Sequence, residues 1–156
     1  MPYHLLQDVE FREGVVVQSF TNLCGCRIGD ETRIGPFVEI QRGGVGARCK
    51  VQSHAFVCES VELGNEVFVG HGVAFVNDKF RRAATDDGAL QGSEHWQLQR
   101  TVVKSCASIG SGAGALDGLQ IDEGALVGAG AVVTHDAEAG TVVAGNPSRP
   151  LSTASE

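Results

Sequence analysis

A single interval governs most of this 156-residue chain: Val45, Val51, Val57, Leu63, Val69 and Phe75 fall six residues apart, and Val103, Ile109, Ala115, Ile121, Val127 and Val133 resume the spacing. A second series follows four positions after most of these, through Cys49, Ala55, Val61, Val67 and Val73, then Ala107, Ala113, Leu119, Ala125 and Ala131. One series is mostly aliphatic, the other mostly small. Two inward positions per hexad suit a short strand and a tight turn, and three hexads close one coil of a triangular prism. Helical spacing does not survive across these windows, and neither does plain alternation. The expected fold class is therefore all-β, a parallel β-helix of hexapeptide repeats in which each coil buries its apolar edge against its neighbours.

The series begins earlier, at Ile28, Ile34 and Ile40, and slips by one residue in the stretch QRGGVG before Val45, which predicts one shortened turn. Gly29, Gly35, Gly46, Gly64, Gly70, Gly110 and Gly128 directly follow the aliphatic position. Absent side chains there would let the chain turn and successive coils approach. The length suits one domain. Residues 1–150 are expected to form the β-helix, with a loop over about 77–100, and the polar residues 151–156 a flexible tail.

A net charge of −7 argues against a nucleic-acid binder, which would present a basic face, yet a few arginines and lysines can still hold a phosphate locally. Five cysteines, an odd number without framework spacing, do not describe a disulfide scaffold. Cys49 lies on the small inward series and reads as core packing. Cys24 and Cys26 form a C-x-C with no partner pair, too little for a metal site. The N-terminal MPYHLLQDVE lacks a basic start followed by an apolar run, and no segment approaches the roughly 20 apolar residues of a membrane helix. A soluble, cytoplasmic protein with reduced thiols is expected.

The repeat disappears between Asn77 and about Arg100, in NDKFRRAATDDGALQGSEHWQLQR, which holds the single Trp. Loops of this length inside a compact repeat are usually functional or disordered. Trp96 and Phe80 could pack on a neighbouring subunit, while Lys79, Arg81 and Arg82 could meet an anion. A coil of eighteen residues places Glu59 and Asn77 in one column at the corner where the loop departs. Ser53 and His71 share another corner, with His54 one position along. Of these, His54, His71, Glu59 and Asn77, together with Asp78, crowd into two successive coils beside the loop and form the candidate site.

The segments IGPFVEIQ, RCKVQSHAFVCESVELG, VFVGHGVAFVNDKF, DDGALQ, ASIGSGA, ALVGAGAVVT and VVAGNPSR resemble the left-handed β-helix N-acetyltransferases of nucleotide-linked amino sugars. The motifs QSH, GHG, FVND and AGNPSR, in that order over roughly residues 15–149, are most similar to the branch acting on 3-amino sugars linked to UDP or dTDP. That resemblance implies a left-handed coil, a homotrimer with acyl-donor sites between subunits, and a role in making surface-polysaccharide precursors. It implies acetyl-CoA as co-substrate along the later coils, near Ala107, Gly112, Ala113, Ala125, Gly130 and Ala131, and at the turn of Asn146, Pro147 and Arg149. It implies the nucleotide sugar near Gln52, His54, Glu59, Asn77, Asp78 and Arg82. Three places depart from the family pattern: Arg81 follows Phe80 without an intervening Pro, Ala115-Leu116-Asp117-Gly118 carries a small residue on an inward beat, and Cys58-Glu59 is followed by Ser60 instead of Gly.

The implied reaction is attack of a sugar amine on a thioester. Orientation supplies much of the rate, with effective molarities reaching about 10⁵ M or more, and a general base adds about 10²–10⁴-fold. Asn77, with Glu59 stacked beside it, is the candidate for holding the amine, and His71 is the candidate base, with His54 in reserve; the alternative is that no side chain acts as base and that solvent or the substrate's own phosphate takes the proton. Two alternatives share the fold. A γ-type carbonic anhydrase needs three imidazoles including a close pair, whereas His54 and His71 lie seventeen apart and His4, His95 and His135 fall elsewhere. A non-catalytic scaffold would retain the prism without binding acetyl-CoA.

Overall fold

The computed structural model describes residues 3–77, 82–92 and 97–154. Among them, the strands form three sheets of seven, six and eight, one for each side of the prism. The first face stacks His4–Gln7, Thr21–Cys24, Glu39–Gln41, Phe56–Val57, Ala74–Phe75, Gly114–Ala115 and Val132–Val133. The second stacks Glu10–Phe11, Arg27–Ile28, Gly44–Val45, Val61–Leu63, Thr101–Val103 and Gln120–Ile121. The third runs from Val16–Val17 through Arg33–Ile34, Lys50–Val51, Phe68–Val69, Ser108–Ile109 and Leu126–Val127 to Thr141–Gly145, and ends on Ser148–Thr153. Strands pair in parallel throughout these faces except for the last two. This is the expected all-β, left-handed parallel β-helix.

Both inward series are buried from Ile28 to Val133, so one apolar column runs along the axis. The aliphatic member ends each short strand, and the small member fills the approach to the next. Phe75 is the largest fully buried side chain among the described residues, and Ala115 stands directly over it in register. The small residue that departs from the family pattern thus makes room for an aromatic in the coil below, a volume compensation expected of a close-packed core.

Coil length changes along the axis. Partners lie seventeen residues apart in the first coils, then eighteen, then forty across the inserted loop. The slip before Val45 is not a single event. Leu6, Leu23 and Ile40 pair in register, so the corner between the first and second faces is one residue short in each early coil. It reaches full length at Cys58-Glu59-Ser60, the coil before the loop leaves from the same corner. Within the loop, Ala84 bridges Leu90, and the Thr85 amide donates to the Ala89 carbonyl at 2.8 Å, making a small hairpin.

The glycines after the aliphatic positions serve close approach rather than turning. A Cβ on Gly29 would stand 2.5 Å from the carbonyl carbon of Gly46, and one on Gly70 would stand 2.5 Å from the Ser111 nitrogen. The left-handed backbone that turns each corner falls elsewhere, as at Glu31, Arg48 and Glu66, with φ of 56°, 54° and 59°. The tail also differs from expectation. Residues 151–153 belong to the last strand, where Thr153 pairs with Thr141 and covers the outer edge of the third face.

Candidate functional site

The corner between the third and first faces carries one residue per coil in a single column: Tyr3, Phe20, Phe37, His54, Gly72, Gly112 and Gly130. Each lies two positions before the paired first-face residues Leu5, Asn22, Glu39, Phe56, Ala74, Gly114 and Val132. The first four form a continuous stack, with centroids 5.8 Å apart for Tyr3 and Phe20, 5.2 Å for Phe20 and Phe37, and 4.9 Å for Phe37 and His54. Parallel rings at this spacing are a favourable offset arrangement. Above His54 the column is bare. Among the described residues, a Cβ built on Gly72, Gly112 or Gly130 meets no atom within 4 Å, so these leave the corner open for three coils.

One position earlier, Ser53, His71 and Ser111 stack in the same way. The Ser53 hydroxyl lies 2.8 Å from His71 Nδ1, and the His71 amide donates to Ser111 Oγ at 3.1 Å. His71 is exposed. It is therefore held from the coil below and the coil above while its ring borders the open corner.

Glu59 and Asn77 stand in register at the corner between the first and second faces, both partly buried. Glu59 faces Arg42 at 3.4 Å. The same column continues to Asp117, which is only 3% exposed. Burial, with the charges of Asp117 and Glu59 added, pushes the neighbouring Cys58 thiol up to about 11. Asp117 was legible in the sequence only as a departure from a pattern, although its eighteen-residue coil position below His135 and its column with Asn77 follow from the register.

The structure does not bring all the predicted residues together. His71 and Asn77 lie at opposite ends of the strand Ala74–Phe75, on two different corners of one prism. The reason is geometric: six residues make one whole side of the prism, so nearness in sequence becomes a face's width in space. Gln52 is partly buried beside Ser53, and Arg82, on the loop, is exposed and paired with Asp86 at 2.7 Å. Asp78 lies outside the described residues, as do Lys79, Phe80, Arg81, His95 and Trp96.

The residues proposed for the acyl donor divide into two groups. Ala107, Ala113, Ala125 and Ala131 are buried in the prism, and each has both its amide and its carbonyl engaged in backbone hydrogen bonds. They present neither side chain nor free backbone to a ligand, because the repeat that makes them small also makes them core. Gly112 and Gly130 lie on the open corner. Asn146, Pro147 and Arg149 are exposed at the final hairpin, where the Arg149 guanidinium donates to the Ser148 carbonyl at 3.0 Å. Among the described residues, no three His, Cys, Asp or Glu side chains gather as a metal site. No helix there is long and apolar enough to cross a membrane.

No family model matches the chain. Among curated proteins it is 34% identical over 112 residues to the bifunctional protein GlmU of Shouchella clausii, covering 72% of the chain and 21% of that protein. It is 33% identical to GlmU of Alkalilimnicola ehrlichii over 154 residues, covering 87% of the chain and 30% of that protein. The chain thus spans about a third or less of the length of these relatives. Among solved structures, a hexapeptide transferase family protein from Anaplasma phagocytophilum superposes with a TM-score of 0.74 at 17% identity, covering 95% of this chain and 80% of that one. The fold is that of the hexapeptide transferases. It is shared with AntD, an N-acyltransferase from Bacillus cereus solved with dTDP-4-amino-4,6-dideoxyglucose and coenzyme A, at a TM-score of 0.79 and 17% identity over 97% of this chain and 85% of AntD. PerB from Caulobacter crescentus, solved with CoA and GDP-perosamine, matches with a TM-score of 0.63 at 20% identity over 94% of this chain and 57% of PerB. Likeness at these identities is likeness of fold.

Proposed function

We propose that the protein is an acetyl-CoA-dependent N-acetyltransferase that acylates the amine of a UDP- or dTDP-linked 3-amino sugar, working in the cytoplasm as a homotrimer on precursors of surface polysaccharide. The observation that carries this reading is His71: an exposed imidazole, hydrogen-bonded through one nitrogen, beside a corner left bare for three coils. An open, side-chain-free edge suits a thin pantetheine arm, and an oriented imidazole suits the proton that leaves an attacking amine. AntD and PerB, which share the fold, bind CoA and nucleotide sugars.

In this reading the neutral amine attacks the thioester carbon, His71 takes its proton, and the sulfur leaves as CoA thiolate. Asn77 and Glu59 hold the amine, and Gln52, His54, Asp78 and Arg82 hold the rest of the nucleotide sugar. Because His71 and Asn77 occupy opposite corners of one chain, the complete site draws one corner from each of two subunits, which closed trimeric symmetry supplies. Gly112 and Gly130 leave room for the donor's arm, and Asn146, Pro147 and Arg149 meet its phosphates.

Mass spectrometry of mixtures containing the protein, acetyl-CoA and a panel of UDP- and dTDP-linked 3-amino and 4-amino sugars tests the reading. One sugar gaining one acetyl group is expected. The QSH, GHG and FVND motifs favour the 3-amino sugars, and the 4-amino sugar bound by AntD makes the 4-amino compounds the informative competitors. No acetylated product from any sugar refutes the assignment.

A further inference from the structure

An exposed histidine at a turn has two ring nitrogens and free rotation, and only one tautomer in one orientation can accept a proton from a substrate. At His71 the orientation is constrained. Its Nδ1 lies 2.8 Å from Ser53 Oγ, one coil below, while its backbone amide is tied at 3.1 Å to Ser111 Oγ, one coil above. The first bond acts on the ring, the second only on the backbone. The Ser53 backbone is fixed in turn, because its carbonyl accepts from the Gly72 amide at 3.0 Å. A hydroxyl can either donate or accept, so it can satisfy Nδ1 in either tautomer. In the base-competent form Nδ1 carries the hydrogen and gives it to Ser53 Oγ, leaving the Nε2 lone pair directed away from the coil below.

We infer that Ser53 is a positioning residue for His71, fixing the orientation of its imidazole from the coil below. This rests on the reading of His71 as the base. During transfer the amine nitrogen bonds to the acyl carbon, and its proton passes to Nε2. The carbon–sulfur bond then breaks with its electron pair on sulfur, and the resulting thiolate recovers the proton from the imidazolium to give an amide and a free thiol. Ser53 exchanges no proton with substrate. Its part is that of the orienting group in any base-assisted nucleophilic site, here filled by a neutral hydroxyl rather than a carboxylate.

Two measurements test the inference. NMR relaxation of the His71 ring is expected to show one ordered orientation in the wild type and in Ser53→Thr, and averaging between rotamers in Ser53→Ala. Equal ring order in wild type and Ser53→Ala overturns it. In steady-state transfer, Ser53→Ala is expected to lower kcat on the order of tenfold with KM little changed, a fraction of the full effect of a general base. Ser53→Thr restores the rate, and adding Ser53→Ala to His71→Ala costs nothing further. An equal loss in both backgrounds marks Ser53 as merely structural and refutes the proposal. Absence of transfer to any sugar would refute the proposed function instead, and the NMR result would still decide the role of Ser53.

Discussion

The lower and upper halves of one corner solve the same backbone problem in opposite ways. Phe20, Phe37 and His54 turn with φ of 64°, 57° and 62°, and Gly72, Gly112 and Gly130 turn with φ of 64°, 71° and 68°. The left-handed conformation is thus imposed by the coil, whichever residue occupies it. For a side chain with a Cβ that conformation costs about 1–2 kcal/mol, and ring stacking worth about 0.5–1.5 kcal/mol per pair offsets it in the lower coils. Glycine in the upper coils is therefore not a requirement of the turn. Nor is it a requirement of packing, since the space around these three is open whereas the space around Gly29 and Gly70 is not. What distinguishes the upper half is the vacancy itself, and it lies beside His71.

Filling that vacancy is the strongest way to break the contrast. Gly112→Phe copies a side chain that the same corner already accepts, so the fold is expected to persist with a stability loss of about 1–2 kcal/mol from the left-handed backbone. Acetyl transfer is expected to fall by about 10²-fold or more, because displacing a reactant by even an ångström has that effect. Circular dichroism and product mass measure the two halves of the expectation. Undiminished turnover in a folded variant would show that the open corner is not where the donor lies.

Emptying the ladder is the converse experiment, with a smaller effect. Phe37 stacks on Phe20 below and His54 above, so Phe37→Ala removes two contacts and is expected to destabilise by about 1–3 kcal/mol, read as a lower urea midpoint. An unchanged midpoint would mean that the rings stack without contributing. His54 would lose its support, so any substrate affinity it provides should weaken together with stability.

The repeat was legible because burial imposes it: every inward residue from Ile28 to Val133 answers to the same interior, and six-residue spacing is the visible trace. The ladder was not legible, because Tyr3, Phe20, Phe37 and His54 recur at seventeen, outside the hexad, and their outward column carries no burial constraint to mark it. Ser53 and His71 were placed at one corner by coil arithmetic, and the structure adds the bond between them. Asn77 shows the limit of that arithmetic, since columns say which residues stack but not how far apart two corners stand. The buried alanines mislead for a different reason. Smallness serves core packing and ligand clearance alike, and only burial separates the two.

The second corner allows a comparison by pH. Burial raises Cys26 to about 11, with a further push from Cys24, and burial raises Cys58 to the same value. Both thiols start from 9.0 in the unfolded chain. The unfolded state therefore releases their protons first, so stability should be level below about pH 9 and decline as pH rises towards the folded values. Thermal melts across that range are expected to show the decline, and Cys26→Ala with Cys58→Ala should flatten it. A decline of equal steepness in the double variant would assign it to other groups.

The third corner runs its ladder on charge rather than rings, through Glu31, Arg48, Glu66 and Cys106, and should matter least. Arg48 and Glu66 form an ion pair, and both are exposed. Hydrogen bonds from Arg48 and then Cys106 hold the Glu66 carboxyl below its ordinary value of 4.5. A depressed carboxylate contributes stability that is present above its unfolded value and lost as pH falls through the folded one. Solvent and salt screen such a pair, unlike the stacked rings of the first corner. Arg48→Ala is therefore expected to lower the melting temperature slightly at neutral pH and low salt, and not at all in molar salt or once Glu66 is protonated. A drop as large as that of Phe37→Ala, persisting in salt, would mean that the side chains of the two ladders are interchangeable supports for the same turn and that the aromatic one has no special stabilising role.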